Sequence, residues 1–221
     1  MRFASMLIFG AALNLCLTFA PLGLMQRETP WLRPELLCVA IGLTCLLLAD
    51  AARNSQIRCH STTSADRQAL GLAYVTGAAI LLFVWCAEWE WSVAIGGPAA
   101  WQVAGGSMLL IAGATLRAAA IRQLGNQFVS EVTPMTRDTL VRSGIYAAVR
   151  HPSETGLLLS LSGIALTLNS TWATLAAIPT FATLTWLRLR LEEISLRSVF
   201  GESYREYCRE VGGLWPKRRA E

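Results

Sequence analysis

Apolar residues gather in six blocks along the chain, joined by short polar connections and one long one. A helix needs about 20 residues to cross roughly 30 Å of hydrocarbon, so the first, third and fourth blocks are long enough and the second is marginal. The last two are shorter, and polar Asn169 and Ser170 separate them, which predicts a tight helical hairpin that returns the chain to one side. The blocks are residues 3–25, 36–52, 69–87, 99–121, 155–168 and 171–187.

Beyond the last block, apolar residues recur at helical spacing among charged ones, which predicts that the helix leaves the membrane and continues amphipathically. The expected fold is therefore all-α. It is a polytopic integral membrane protein with about six transmembrane helices, including the short C-terminal hairpin, followed by a cytoplasmic amphipathic helix. We expect a single membrane domain over residues 1–221, with four N-terminal spans in 1–121 and a catalytic core in 122–221.

Composition and charge agree with a membrane protein. Hydrophobic residues make up 53% of the chain and charged residues only 15%, with a mean hydropathy of +0.42. If the N-terminus is cytoplasmic, all of the 19 basic residues except Arg27 and Arg33 fall on the cytoplasmic side, as the positive-inside rule requires. We therefore expect both termini in the cytoplasm, in a bacterial-type inner or plasma membrane. The net charge of +4 then reflects topology and anionic lipids rather than nucleic acid.

Neither the first block nor the cysteines change this interpretation. Residues 3–25 are longer than the apolar core of a signal peptide, so we expect a span there. The six cysteines form no CxxC pair, and the two histidines, His60 and His151, are far apart in the sequence. We expect no metal site.

Polar groups cluster at both mouths of the predicted hairpin. Because the hairpin starts and ends on one face, Arg150 and His151 should meet Arg188, Glu192 and Glu193 at the cytoplasmic rim. Each of these residues also has a simpler interpretation. The arginines could anchor the chain at the membrane edge, and the carboxylates could pair in solvent with arginines at i,i+4 spacing. The proline after His151 could simply begin a helix. Together, however, a histidine, arginines and paired carboxylates over an apolar pocket favour a functional site.

The C-terminal half resembles the isoprenylcysteine carboxyl methyltransferase family over residues 124–215. The pattern G-x-Y-x-x-x-R-H-P, followed at this distance by E-E and by F-G-E-x-Y-x-x-Y, is specific, whereas R-H-P alone is not. The residues that carry the resemblance are Gly144, Tyr146, Arg150, His151, Pro152, Ser153, Gly156, Asn169, Glu192, Glu193, Phe200, Gly201, Glu202, Tyr204 and Tyr207.

The resemblance implies an integral-membrane enzyme that transfers a methyl group from S-adenosylmethionine, held in a cytoplasm-facing pocket, to a lipophilic acceptor arriving from the bilayer. Arg188 and Glu192 fall where the family places groups that orient the acceptor and the sulfonium, so we expect them to be catalytic. The residues expected to bind the cofactor are Gly144, Tyr146, Arg150, His151, Pro152 and Glu193.

The chain departs from the family pattern at two positions. Glu154 stands where the family usually has tyrosine, and this carboxylate could alter the acceptor, attract an ammonium group or face solvent at a helix N-terminus. Ser170 stands where the family often has proline, a change that a capping serine tolerates.

The acceptor itself stays open. A carboxylate acceptor is already ionised and needs no base. Arg188 could hold it by paired hydrogen bonds while Glu192 orients the guanidinium of Arg188. An amine must lose a proton, for which His151 or Glu154 would be candidates. Prenylated peptides, phospholipids and small metabolites all remain possible acceptors. The alternatives are thus phospholipid N-methylation, thiol S-methylation, an NADPH-dependent membrane reductase, or a transporter or scaffold without enzymatic activity.

Helix packing also leaves an alternative open. The fourth block contains Gly105, Gly106 and Gly113, which could bring helices together within one chain or between two chains.

Overall fold

The computed structural model describes residues 37–44, 46, 64–93, 98–124 and 140–217. This part of the chain is helical and contains no strand; residues 37–44 and 46 lie in one short helical stretch. The first block and most of the second lie outside the described residues. The remaining elements are α1 (Ser64–Val93), α2 (Ala100–Leu124), a 3-10 turn (Gly144–Ala147), α3 (Pro152–Thr167) and α4 (Trp172–Glu210).

Helices α2 and α3 pack antiparallel with their backbones in close contact. Gly106 on α2 faces Gly163 on α3, and one heptad further along Gly113 faces Gly156. A Cβ at Gly113 would lie 2.4 Å from the carbonyl oxygen of Gly156, and one at Gly163 would lie 2.5 Å from the backbone nitrogen of Leu110. Only glycine permits this approach, so two of the glycines in the fourth block pack helices within the chain.

The predicted hairpin forms at the turn between Leu168 and Thr171, where Asn169 adopts a left-handed conformation with φ of 49°. Its two helices are not each other's main neighbours. The glycine face of α3 turns toward α2, and α4 packs along α1, with Phe83 and Phe181 in edge-to-face contact at 6.0 Å between ring centroids. The prediction of a tight hairpin missed this arrangement because it considered only the length of the two blocks.

The second hairpin helix continues past its apolar block into the amphipathic segment, as the sequence predicts, and a kink divides that segment. Helix α4 runs for 39 residues and is kinked at Gly201, which has φ of 54°. No atom lies near the position of a Cβ there, so the backbone conformation and not crowding favours glycine.

Exposed apolar side chains indicate which surface meets lipid. On α2, a buried stripe that includes Gly106, Leu110 and Gly113 lies opposite exposed Met108 and Ile111. Among the described residues, α2 is the one helix whose length and composition by themselves meet the usual criterion for a membrane span. The arrangement of six spans therefore stays a prediction.

The helices place their ends at two opposite polar rims. At one rim, Glu90 near the end of α1 meets the start of α4, and Gln102 of α2 donates a hydrogen bond to Asn169. At the other, the end of α2 and the start of α3 meet the second half of α4. The groups singled out by the sequence lie at this second rim.

Candidate functional site

The approach to α3 is held in place by the end of α2. Gln123 donates from Nε2 to the carbonyl oxygen of Ser143 at 2.6 Å, and its Oε1 accepts from the backbone N–H of Ile145 at 3.1 Å. Between them Gly144 has φ of 58°, and a Cβ there would lie 2.3 Å from the amide of Gln123. The positive φ favours glycine at this position, and a larger residue would also displace the side-chain amide of Gln123.

Tyr146 links this turn to two helices. Its side chain is buried, its hydroxyl donates to the carbonyl oxygen of Ala120 at 3.3 Å, and its own carbonyl oxygen accepts from the hydroxyl of Tyr207 at 2.5 Å. Burial raises the pKa of Tyr207 to about 12, so this hydroxyl stays protonated and able to donate. The turn before Pro152 is thereby fixed between α2 and α4.

The segment after α4 folds back onto the start of α3. Backbone N–H groups of Arg150 and His151 donate to the carbonyl oxygens of Gly212 and Gly213 at 2.9 and 3.1 Å. A Cβ at Gly212 would lie 2.0 Å from the carbonyl oxygen of Trp215, so the segment needs glycine there. The backbone at the Arg-His pair is thus fixed from both directions along the chain.

Four charged side chains meet at the mouth of the site, and we call Arg150, His151, Glu192 and Glu193 the mouth cluster. Nη1 of Arg150 donates to Oε1 of Glu193 at 2.6 Å and also contacts the sulfur of Cys208 at 2.8 Å. Nδ1 of His151 lies 3.5 Å from Oε2 of Glu192, and its Nε2 lies 3.5 Å from Oε1 of Glu193. The imidazole is therefore placed between two carboxylates.

These neighbours set the protonation state of the mouth cluster. Burial by itself lowers the pKa of His151, but the adjacent carboxylates of Glu192 and Glu193 outweigh it and raise that pKa to about 10. The same contact with His151, assisted by Arg150, holds the pKa of Glu193 below its usual value although burial opposes this. At neutral pH His151 is a cation and Glu193 an anion.

A second group lies about one helical turn deeper, and we call Arg117, Glu154 and Arg188 the inner cluster. Oε1 of Glu154 lies 3.0 Å from Nη2 of Arg188 and 3.7 Å from Nη1 of Arg117. Arg117 also donates to the carbonyl and hydroxyl oxygens of Ser153, both at 2.9 Å. The side chains of Arg117, Glu154 and Arg188 are only 1%, 4% and 11% exposed.

Comparison with known proteins agrees with the motif. The family model described as phospholipid methyltransferase matches residues 101–203. Protein-S-isoprenylcysteine O-methyltransferase of Schizosaccharomyces pombe is 36% identical over 109 residues, which cover 46% of this chain and 44% of the relative. The mouse protein of that name is 34% identical over 117 residues, covering 50% and 40%. The chain spans about half the length of these relatives.

The fold comparison covers more of the chain. A solved structure of the eukaryotic intramembrane Ras methyltransferase, an isoprenylcysteine carboxyl methyltransferase, aligns with 93% of this chain and 73% of its own, with a TM-score of 0.56 and 20% sequence identity. The C-terminal half of the chain is therefore similar in sequence to isoprenylcysteine carboxyl methyltransferases. The described part of the chain shares the helical membrane fold of that structure.

The residues that the family motif singles out fall into two groups. Arg150, His151 and Glu193 come together in the mouth cluster with Glu192, while Gly144, Tyr146 and Pro152 shape the turn that leads to it. Arg188 lies one turn deeper, and the ion pair described for it is with Glu154.

Two features of the site could not be predicted from the sequence. Arg117 was assigned to the apolar fourth block, although it lies on the buried stripe of α2 at the same helical spacing as Gly106, Leu110 and Gly113, a position where a charge signals a buried partner. The second feature is the contact of Gly212 and Gly213 with the start of α3, which nothing in the sequence indicates except the pair of glycines itself. Of the readings weighed for Glu154, the solvent-facing one is wrong because its side chain is only 4% exposed.

The mouth cluster offers two cations and two carboxylates to a polar ligand. Within the described residues, Nε of Arg150 and both ring nitrogens of His151 are buried without a well-formed hydrogen bond. Buried donors in this state are typical of a site that a ligand completes.

Proposed function

We propose that this protein is an S-adenosylmethionine-dependent methyltransferase that acts on a lipophilic acceptor at the cytoplasmic membrane face, with the carboxylate of an S-isoprenylated cysteine as the acceptor group. The observation that carries the proposal is the meeting of the Arg-His pair at the start of α3 with the paired glutamates of α4, directly above a buried arginine pair. The names of the relatives support the choice of acceptor.

The mouth cluster would hold the cofactor. Arg150 and protonated His151 suit its carboxylate, and Glu193 suits its ammonium group or ribose hydroxyls. Gly144, Tyr146 and Pro152 would line the pocket through the turn that they form. When bound, S-adenosylmethionine supplies a methyl group on a positively charged sulfur, which is open to attack by an anion.

The chain's own residues would mainly position and desolvate the reactants. A carboxylate acceptor is already ionised, so no side chain has to remove a proton. Arg188 carries five N–H donors and can hold an acceptor carboxylate while it still contacts Glu154. Glu192 would stabilise the positive charge of His151 and of the sulfonium region. Alignment of acceptor and methyl group in a site without bulk water accounts for most of the expected acceleration.

Apolar surface gives the acceptor a route. The side chains of Trp186, Leu187 and Leu191 on α4 are exposed beside the arginine at its centre. An isoprenyl chain can lie along such a surface while its polar end reaches the inner cluster, which places a lipid-soluble acceptor and a charged cofactor on opposite sides of Arg188.

Binding and transfer test the proposal separately. Isothermal titration calorimetry of the purified protein in detergent should show binding of S-adenosylmethionine and of its demethylated product; binding of neither would exclude the methyltransferase function. Membranes that contain the protein should then transfer a labelled methyl group to S-prenylated N-acetylcysteine. The labelled product should release methanol in alkali, as a methyl ester does.

The family model named for phospholipid methyltransferases favours one second candidate, N-methylation of a phospholipid amine. The same labelled membranes distinguish it, because an N-methyl group survives alkali and migrates with the lipid fraction. In that case His151, held as a cation by its neighbours, would be a poor base, and Glu154 would be the candidate to accept the proton.

A further inference from the structure

The inner cluster has a composition that the family motif does not explain. Its carboxylate, that of Glu154, is buried between two arginines that come from different helices. The charge of Glu154 affects any ligand that Arg188 binds, because Oε1 of Glu154 lies 3.0 Å from Nη2 of Arg188.

We propose that Glu154 is a specificity-determining residue that weakens the preference of the site for an anionic acceptor. The inference rests on the proposed function of Arg188 as the anchor of the acceptor. Compared with a neutral residue at the same place, Glu154 lowers the charge of the site by one unit. An acceptor carboxylate therefore competes with an internal one for the same guanidinium.

The position of Glu154 makes this effect large. Its side chain is only 4% exposed, and that of Arg117 only 1%, so water does little to screen the interaction. If an acceptor carboxylate binds about 6 Å from the carboxylate of Glu154, their repulsion at an effective dielectric constant of about 20 weakens acceptor binding by roughly a hundredfold. Allowing for relaxation of the two arginines, we expect at least a tenfold effect.

The second carboxylate oxygen supports a role beyond helix packing. Oε2 of Glu154 is buried and has no hydrogen-bond partner among the described residues, so only half of the group is used by the contacts described above. A carboxylate retained only to neutralise its arginines would be expected to use both oxygens, as paired arginine contacts commonly do.

A pair of ligands that differ only in charge tests the inference. S-prenylated N-acetylcysteine and its carboxamide have the same shape, and their affinities for the protein loaded with the demethylated cofactor can be measured by competition with a fluorescent prenyl ligand. The ratio of the two affinities reports anion preference alone. We expect this ratio to rise at least tenfold in Glu154→Gln and also in Glu154→Tyr, because both variants remove the negative charge.

The matched control is Glu210→Gln, which removes the same charge from an exposed position at the end of α4 and should leave the ratio unchanged. An unchanged ratio in both Glu154 variants would overturn the inference. A lower ratio would also overturn it, because Glu154 would then serve to position Arg188 for anions and not to weaken their binding.

The same samples separate this inference from the proposed function. If the native protein binds the demethylated cofactor but neither prenyl ligand, the acceptor class is wrong and the inference fails with it. If it binds neither cofactor nor prenyl ligand, methyl transfer itself is excluded. Binding of all three with no response to Glu154 would leave the function standing and refute the specificity role alone.

Discussion

The two polar rims of the helical bundle use carboxylates in opposite ways. At the rim away from the site, Glu90 of α1 accepts four hydrogen bonds at the start of α4, three from the backbone N–H groups of Thr171, Trp172 and Ala173 and one from the hydroxyl of Ser170, all between 2.9 and 3.0 Å. It caps a helix from a neighbouring helix. Both of its oxygens are fully used.

At the other rim the polar groups are only partly satisfied. Both nitrogens of His151 lie 3.5 Å from carboxylates, and Nε of Arg150 and Oε2 of Glu154 are buried without hydrogen-bond partners in the part of the chain that the structure describes. Leaving buried polar groups in this state costs stability, which a ligand that completes the contacts would restore. The difference between Glu90 and the mouth cluster indicates that Glu90 holds two helices together, whereas the mouth cluster is built to bind.

The largest expected effect comes from removing the group proposed to bind the acceptor. Arg188→Ala should lower methyl transfer by about a hundredfold or more, because an acceptor anchor buried beside the reacting groups is lost. Glu154 keeps Arg117 as a partner, so the fold should persist and the demethylated cofactor should still bind.

A neighbouring arginine provides the control for that measurement. Arg190 lies on the same helix, but its side chain stacks on Trp186 at 5.1 Å and its residue is exposed. Arg190→Ala should retain nearly full transfer. Normal turnover in Arg188→Ala would contradict the role proposed for this arginine without excluding methyl transfer.

The next largest effect concerns the cofactor. Glu193→Gln removes the carboxylate that contacts both Arg150 and His151, and we expect the affinity for the demethylated cofactor, measured by calorimetry, to fall by roughly ten- to a hundredfold. The exposed partner of the same glutamate gives the control, since Arg197→Ala removes a surface ion pair worth little. Equal losses in the two variants would argue against a binding role for the mouth cluster.

Much of this arrangement could be predicted from the lengths of the apolar blocks. The two C-terminal blocks, joined by Asn169 and Ser170, return the chain to one face, and this places Arg150 near Glu193. The continuation of α4 beyond the membrane follows equally from the helical spacing of its apolar residues. These are consequences of chain connectivity and periodicity, which a sequence displays directly.

The pairings between distant side chains could not be predicted in the same way. Nothing in the sequence relates Arg117 to Glu154, or Glu90 to the start of α4, because each contact depends on which faces of two helices meet. Those faces are set by glycine contacts such as Gly113 with Gly156, and several helix pairs would satisfy the same glycines. A buried charge within an apolar block shows that a partner is needed without showing which one.

The pH dependence of stability should distinguish the two rims. In the unfolded chain a histidine loses its proton near pH 6.5, whereas His151 in the folded protein keeps it until about pH 10. The folded state therefore binds an extra proton between these values. Its stabilisation is complete below pH 6.5, declines as the pH rises and is lost above about pH 10.

Thermal unfolding in detergent, followed by tryptophan fluorescence, would measure this decline. Between pH 7 and pH 9 we expect the native protein to lose about 2 to 3 kcal/mol relative to His151→Gln, for which the extra proton is absent. Parallel pH profiles for the two proteins would show that the imidazole is not held as a cation by Glu192 and Glu193.

The smallest effect is expected at the rim that holds the fold together. Glu90→Ala removes the acceptor of the first backbone N–H groups of α4. Because such caps typically stabilise a protein by about 1 kcal/mol, the melting temperature should fall by a few degrees. Glu90→Gln keeps one acceptor oxygen and should recover part of the loss. Cofactor affinity should be unchanged in both variants, because Glu193 lies near the middle of α4, about 30 Å along the helix from the capped residues. A loss of cofactor affinity larger than the loss of stability would show that α4 transmits strain between the rims, and the division between a rim for folding and a rim for binding would then be wrong.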